Sequence, residues 1–221
     1  MIRIEEDVRP GMRLGRHRDH DPRSRSFAVQ AASLGSLTSV RHHRLVPVYD
    51  QGSVGSCTGN ACAGALSTAP FRHRYHEPTA VRLYSEATRL DDDPASWPPS
   101  DTGSTGLAVA KAARARGLCS SYDHAFSLEA ALTALQTSAV LLGISWRTGC
   151  DTPDTDGLIR WAGTVRGGHE VVLDEINVEE RLAWLTNSWG AGFGVNGRAA
   201  LSWDDLGAAL ADSGDLTVLV P

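Results

Sequence analysis

Three short segments, far apart in this chain, hold residues whose types and order suit nucleophilic acyl chemistry: Asp50-Gln51-Gly52-Ser53-Val54-Gly55-Ser56-Cys57, Gly167-Gly168-His169-Glu170 and Asn187-Ser188-Trp189-Gly190. They supply a thiol, an imidazole and an amide in that order, the parts that a cysteine nucleophile, its base and a base-orienting group require. A neutral thiol is a poor nucleophile, and at an ordinary pKa of about 8.5 little of it ionises at neutral pH. His169 within hydrogen-bond reach of Cys57 would hold the pair ionised and later protonate the leaving amine. The side-chain carbonyl of Asn187 can accept the second imidazole N–H and so fix the ring.

The elements that must position these groups change character along the chain. Gly52 and Gly55 allow a sharp loop, and Ser56 is placed to cap a helix beginning near Cys57, whose Ala61, Ala63, Gly64 and Ala65 suit close packing. The nucleophile then sits at a helix N-terminus, where the partial positive charge and free N–H groups favour a thiolate. Further helices are expected over residues 80–90, after the interruption at Glu77-Pro78, over 105–116 with Gly117 as the stop, and over 127–137 with Ser127 as cap. From Ala139 onward short apolar runs separated by Gly, Asn and Asp predict antiparallel strands over 139–145, 170–176, 182–186, 197–202 and 216–220. His169 would then stand at the start of a strand, and Asp151 to Gly157 would form a surface loop. Helices first and strands later define an α+β chain.

The segment around Cys57, with Gln51 six residues before it, and the Asn187-Ser188-Trp189-Gly190 segment resemble the papain family of cysteine peptidases. The resemblance runs from about Pro47 to the C-terminus. It implies a two-lobed fold, with a helical lobe over about 50–137, an antiparallel β-barrel-like lobe over about 138–221, and the active-site cleft between them. It implies that Gln51 joins the Cys57 backbone N–H in the oxyanion hole, that Trp189 shields the Asn187–His169 hydrogen bond, and that the catalytic set is Gln51, Cys57, His169 and Asn187. For substrate binding it points to Gly106, beside the position where the family pairs its backbone with an extended peptide. It also points to Gly168 and Glu170, which flank His169 where the pocket for the second residue before the cut is lined; Glu170 would suit a basic side chain there. The chain departs from the family pattern at Thr58-Gly59-Asn60, directly after the nucleophile. It also lacks the usual disulfide partners, with Val54 and Thr102 standing where secreted relatives carry cysteine.

Residues 1 to about 36 are polar and arginine-rich and read as an extended arm that braces the domain over 37–221, with an inhibitory role as the alternative. His20-Asp21-Pro22-Arg23-Ser24 resembles the opening of bacterial and phage papain-like proteins. With 42% hydrophobic and 21% charged residues and a formal net charge of −5, the 221-residue chain has a globular composition unsuited to general nucleic-acid binding. No signal-peptide pattern opens the chain and no run of about 18 apolar residues follows, so a cytoplasmic protein without membrane association is expected. Four cysteines are few for a disulfide framework, and Cys62, Cys119 and Cys150 read as buried apolar residues. The histidines other than His169 read as surface residues. No His or Cys spacing suggests a metal site, and no cofactor is expected. The expected activity is hydrolysis of peptide bonds in a protein or peptide substrate through an acyl-thioester on Cys57. The alternatives are a cell-wall amidase or acyltransferase using the same thiol, and a silent binding protein on the same scaffold.

Overall fold

The structure is a computed structural model, and it describes residues 1–19, 24 and 28–221. Helices α1 (Cys57–Leu66), α2 (Glu77–Ala87) and α3 (Gly106–Ala115) come first, followed by α4 (Leu128–Ala134) and α5 (Trp203–Ala211). The strands are β1 (Val40–Arg41), β2 (Ser121–Ala125), β3 (Val140–Arg147), β4 (Val165–Asn177), β5 (Leu182–Thr186), β6 (Arg198–Ser202) and β7 (Asp215–Val220). They form one antiparallel sheet in the order β2-β7-β3-β4-β5-β6, with β1 added to β4. The mixed helix and antiparallel-sheet class is therefore as expected, but the sheet does not close as a barrel: β2 and β6 end its path.

The helix starts follow local chemistry. Thr105, Ser127 and Ser202 each accept a hydrogen bond from the N–H three residues on, capping α3, α4 and α5. Ser56 does not cap α1 in this way; its hydroxyl accepts from Asn60 Nδ2 instead, at 3.0 Å. Pro78 lies inside the first turn of α2, where a missing N–H costs nothing, so Glu77-Pro78 opens that helix and does not interrupt it. Every residue of α1 is buried. A Cβ on Gly59 would stand 2.2 Å from Ala80 O, so glycine is what lets α1 lie directly on α2.

Strand β3 runs through the middle of the sheet with both faces covered, which is why it reads as a continuous apolar run. Val140, Leu142, Ile144 and Trp146 point into a core shared with α4 and α5, whereas Leu141 joins Val172 of β4 and Leu219 of β7 in a second core against α1 and α3. Gly143 lies on this second face, in register with Glu170 of β4 on one side and Asp215 of β7 on the other. A polar row is thus set into an otherwise apolar surface. Strand β2 escapes a hydrophobicity search because Ser121-Tyr122-Asp123-His124-Ala125 has no apolar run, yet it pairs along its whole length with β7.

Candidate functional site

Cys57 opens α1 and is wholly buried where that helix packs on β4. His169 lies in β4 opposite Ile144 and is also wholly buried. Its Nε2–H donates to Asn187 Oδ1 at 2.8 Å, while Nδ1 makes no hydrogen bond among the described residues. Asn187 follows β5 and its Oδ1 also accepts from the Ser188 N–H at 2.7 Å, which fixes the amide. The indole of Trp189 stacks on the imidazole at 5.0 Å, and Trp146 meets it edge-on at 4.9 Å. These rings exclude water from the His169–Asn187 bond. A dry hydrogen bond is the stronger one.

Gln51 binds two parts of the site together: its Oε1 accepts from the Ser188 hydroxyl at 2.6 Å and its backbone N–H donates to Ser188 O at 2.9 Å. Its Nε2 donates to Val54 O at 2.8 Å and to Leu14 O at 3.2 Å. Residue 14 belongs to the N-terminal arm, and that contact introduces the main feature of the site.

Residues Arg13 to His17 lie directly across these groups. Trp189 Nε1 donates to Arg13 O at 2.8 Å, and Leu14, wholly buried, enters the core beside Trp189. The Gly15 and Arg16 N–H groups both donate to Gly168 O, at 3.1 and 2.9 Å. His17 N donates to Ser104 O at 2.7 Å and Ser104 N donates to Gly15 O at 2.8 Å, a parallel bridge centred on Arg16. Two glycines permit this approach: a Cβ on Gly15 would stand 2.1 Å from Gly55 O, and one on Gly168 would stand 2.1 Å from Arg16 O. Arg16 is 1% exposed, and its guanidinium forms ion pairs with Glu170 and Asp215. Further arginines fasten the arm, Arg9 to Asp151 at 2.7 Å and Arg13 to Asp101 at 2.9 Å, while Arg13 also pairs with Glu6 inside the arm at 2.9 Å.

In the covered site the thiol and the imidazole are both uncharged. Burial pushes the Cys57 thiol far above its ordinary value, with the nearby Glu170 charge adding to the effect and the Glu170 backbone N–H opposing it. Burial likewise pulls His169 down to about 3, against the Asn187 hydrogen bond, with Arg166 pulling in the same direction as burial. In this form the thiol keeps its proton and the imidazole has none to spare.

The structure links Gln51, His169, Asn187 and Trp189 through Ser188 and the stacked rings, and it sets the Cys57 thiol against the Glu170 backbone N–H, one residue from His169, with no hydrogen bond from Cys57 to His169 among the described residues. Ser104 makes the backbone pairing with the arm, and Gly106 lies two residues further on, where a Cβ would stand 2.7 Å from Glu170 Oε1. Ser188, Ser104, Trp146 and Asp215 escaped sequence reasoning. Gly143 did too, although an isolated glycine inside an apolar strand signals a close approach by something else. Asp151 was expected on a surface loop. It is buried, accepting from Trp146 Nε1 at 3.0 Å and pairing with Arg166 at 2.8 Å. His17, His42 and His124 are buried and not on the surface, with His42 Nε2 bonded to Leu135 O at 2.8 Å. His20 to Arg23 lie outside the described residues. All four cysteines are free and buried. Among the described residues no helix is long and apolar enough to cross a membrane.

Neither a protein-family model nor a curated protein sequence matches this chain. Solved structures do, and the fold they share with it is that of the papain-like cysteine proteases. The chain is similar to xylellain, a cysteine protease from Xylella fastidiosa, with a TM-score of 0.76 and 18% identity over 97% of this chain and 98% of that one. It is similar to a procathepsin B from Trypanosoma congolense (TM-score 0.64, 9% identity, 95% and 86% of the two chains). The Carica candamarcensis cysteine protease CMS1MS2 follows with TM-score 0.54 and 15% identity over 84% and 94%.

Proposed function

We propose that the chain is a cysteine peptidase of papain type, in the branch suggested by His20 to Ser24, held in a latent form by its own N-terminal arm. The observation that carries this reading is the 2.8 Å bond from His169 Nε2 to Asn187 Oδ1 beside a cysteine at a helix N-terminus, all beneath Leu14 to Arg16. With the arm displaced, water and substrate reach the groove between the helices and the sheet, and the desolvation that keeps both groups neutral is relieved. His169 Nδ1, free of any other bond, then takes the Cys57 proton, and the helix N-terminus favours the thiolate. The thiolate attacks the peptide carbonyl, whose oxyanion is received by Gln51 Nε2 once Leu14 O has left it, and by the Cys57 backbone N–H. Loss of one such donor typically costs about 3 to 4 kcal/mol of transition-state stabilisation. His169 protonates the departing amine, and water resolves the acyl-thioester.

The arm is not positioned as a substrate. A substrate carbonyl at Gln51 would belong to the residue before the cut, and the Gly168–Glu170 pocket would take the side chain preceding it. In the arm, Leu14 O meets Gln51 while the pocket holds Arg16, two residues further on. The arm thus runs opposite to a substrate, with its parallel bridge to Ser104, so no arm carbonyl is aligned for attack.

The test is labelling and cleavage by the full chain carrying Gly15→Ala, which opens the groove. An epoxysuccinyl or iodoacetamide probe is expected to label Cys57 at pH near 6, with cleavage of a peptide library that disappears when Cys57→Ala is added. Labelling spread over all four cysteines, or cleavage that survives Cys57→Ala, overturns the reading. Cleavage restricted to peptidoglycan fragments would replace it with the amidase.

A further inference from the structure

Strand β3 brings a second indole to His169. Ile144 lies opposite His169 in the β3–β4 register, and Trp146 follows two residues later on the same face, opposite Gly167. Gly167 has no side chain to fill the place across the ladder, and the Trp146 ring meets His169 along the diagonal, edge-on at 4.9 Å, and Trp189 at 5.3 Å. The register shifts immediately after Trp146, and the short turn Thr148–Cys150 brings the chain back so that Asp151 Oδ1 accepts from Trp146 Nε1 at 3.0 Å. Resting on the peptidase reading above, we propose that Trp146, tethered by Asp151, is the positioning residue that keeps His169 aligned once the arm has left.

In the covered chain no hydrogen bond from Cys57 directs His169 Nδ1, so the ring is set by Asn187 and by the two indoles packed on it. The single bond at Nε2 leaves the ring some freedom to tilt about Cβ–Cγ, and the indoles limit that tilt. Trp189 owes its own direction partly to the arm, since its Nε1–H donates to Arg13 O at 2.8 Å, and this bond is lost when the arm withdraws. Phe193 still packs edge-on against Trp189 at 5.2 Å, but its ring offers the indole N–H no carbonyl or carboxylate in exchange. Trp146 keeps its tether. Asp151 Oδ1 holds Trp146 and, at 2.8 Å, Arg166 Nη1, both of the domain, whereas the arm's Arg9 takes only Oδ2, at 2.7 Å. Burial of the Asp151 carboxylate calls for a cation, which Arg166 supplies, and the indole N–H on the same oxygen adds orientation. Trp146, Asp151 and Arg166 are all buried, so water does not compete for the bond.

The test uses the full Gly15→Ala chain, in which the groove is open. Trp146→Phe removes the tethered N–H and should lower kcat for peptide cleavage about 10²-fold with KM changed less than about twofold, because a tilted imidazole hinders only the chemical step. Asp151→Ala should act in the same way. Asp151→Asn keeps an acceptor oxygen for Trp146 and should retain kcat within about threefold of the parent at its own optimum pH, although both substitutions strip the charge beside Arg166 and should lower the urea midpoint alike. Unchanged kcat in Trp146→Phe, or equal losses in Asp151→Ala and Asp151→Asn, overturns the proposal. The second measurement does not depend on cleavage. With nitrogen-labelled histidine, exchange of the His169 Nε2–H proton with water should quicken about tenfold or more in Asp151→Ala, beyond what global unfolding accounts for, and stay near the parent rate in Asp151→Asn. With Gly15 retained, where Arg13 O still holds Trp189, the two variants should differ far less. Exchange that does not distinguish alanine from asparagine overturns the positioning role. Exchange that does so in a chain cleaving no peptide refutes the peptidase reading and leaves the role standing.

Discussion

Replacement of Gly15 by alanine should convert the covered form into an open one without touching any group proposed to act on substrate. Gly15 has φ of +126°, a region that L side chains rarely adopt, and its Cβ would stand 2.1 Å from Gly55 O. The backbone strain costs on the order of 1–3 kcal/mol. Both colliding atoms are tied to backbone, so neither swings aside, and the arm must withdraw by about an ångström. That breaks the Gly15 and Arg16 bonds to Gly168 O, each contributing about 1 kcal/mol net. Together the covered form loses about 3 to 5 kcal/mol, a shift of roughly 10²–10⁴ in the ratio of covered to open molecules. The assay is the iodoacetamide labelling rate of Cys57 in the full chain at pH near 6, read peptide by peptide, with Cys62 and Cys150 as buried internal controls. When opening is fast, the rate follows the open fraction, so it should rise by at least about 10² and then level off at the rate of the open form. Folded Gly15→Ala protein that labels at the wild-type rate would refute the reasoning. So would a variant whose Cys57 reacts only as fast as its global unfolding in urea allows, because the arm would then be inseparable from the fold.

Other consequences are measurable on stability alone. In a Cys57→Ala background His169 titrates without its thiol partner; it stays unprotonated in the fold to about pH 3 but takes a proton near 6.5 when unfolded, so stability falls as pH drops below 6.5. Urea midpoints at pH 7 and 4.5 should show a loss of up to about 2 to 3 kcal/mol beyond that of Cys57→Ala/His169→Gln, and equal losses would contradict the neutral buried imidazole. Asp151→Ala should cost about 3 kcal/mol or more by urea denaturation, because it leaves the guanidinium of Arg166, 1% exposed, without its carboxylate partner. Thr105→Ala removes the cap on α3, whose Oγ1 accepts from Ala108 N at 3.0 Å, and should cost about 1 kcal/mol, with Thr105→Ser recovering most of it.

Much of the candidate site is legible from spacing because the proposed chemistry constrains identity: it calls for a thiol, an imidazole and an amide, and the turns and apolar runs around them set which element each one ends or begins. The strands β3 to β7 are legible for a similar reason, since burial of both faces leaves apolar runs that stand out from the loops. What escaped depends on tertiary neighbours. The helix α5 had its signals in place, with Ser202 followed by Asp204 and Asp205 and then Leu206, Ala209 and Leu210, but the preceding apolar stretch reads as the end of a strand. The polar strand β2 exists because β7 offers it a partner. Arg16 and Asp215 lie 199 positions apart, and no local pattern announces that they will pair. The glycines at 15, 143 and 168 were visible as residues; their meaning required knowing what passes over them.

The covalent continuity of the arm with the domain gives it a concentration that no free peptide of the same sequence would have. A tethered segment meets its groove at an effective concentration of about a millimolar. Once the chain is severed anywhere between His17 and β1, the same contacts depend on the bulk concentration, which for a protein at ~10 nM is about 10⁵ lower, a difference of about 7 kcal/mol. One cut outside the groove would then act as a one-way switch, since a departed arm has little prospect of returning, and how tightly the intact chain is shut would say little about how readily the cut one is reclosed.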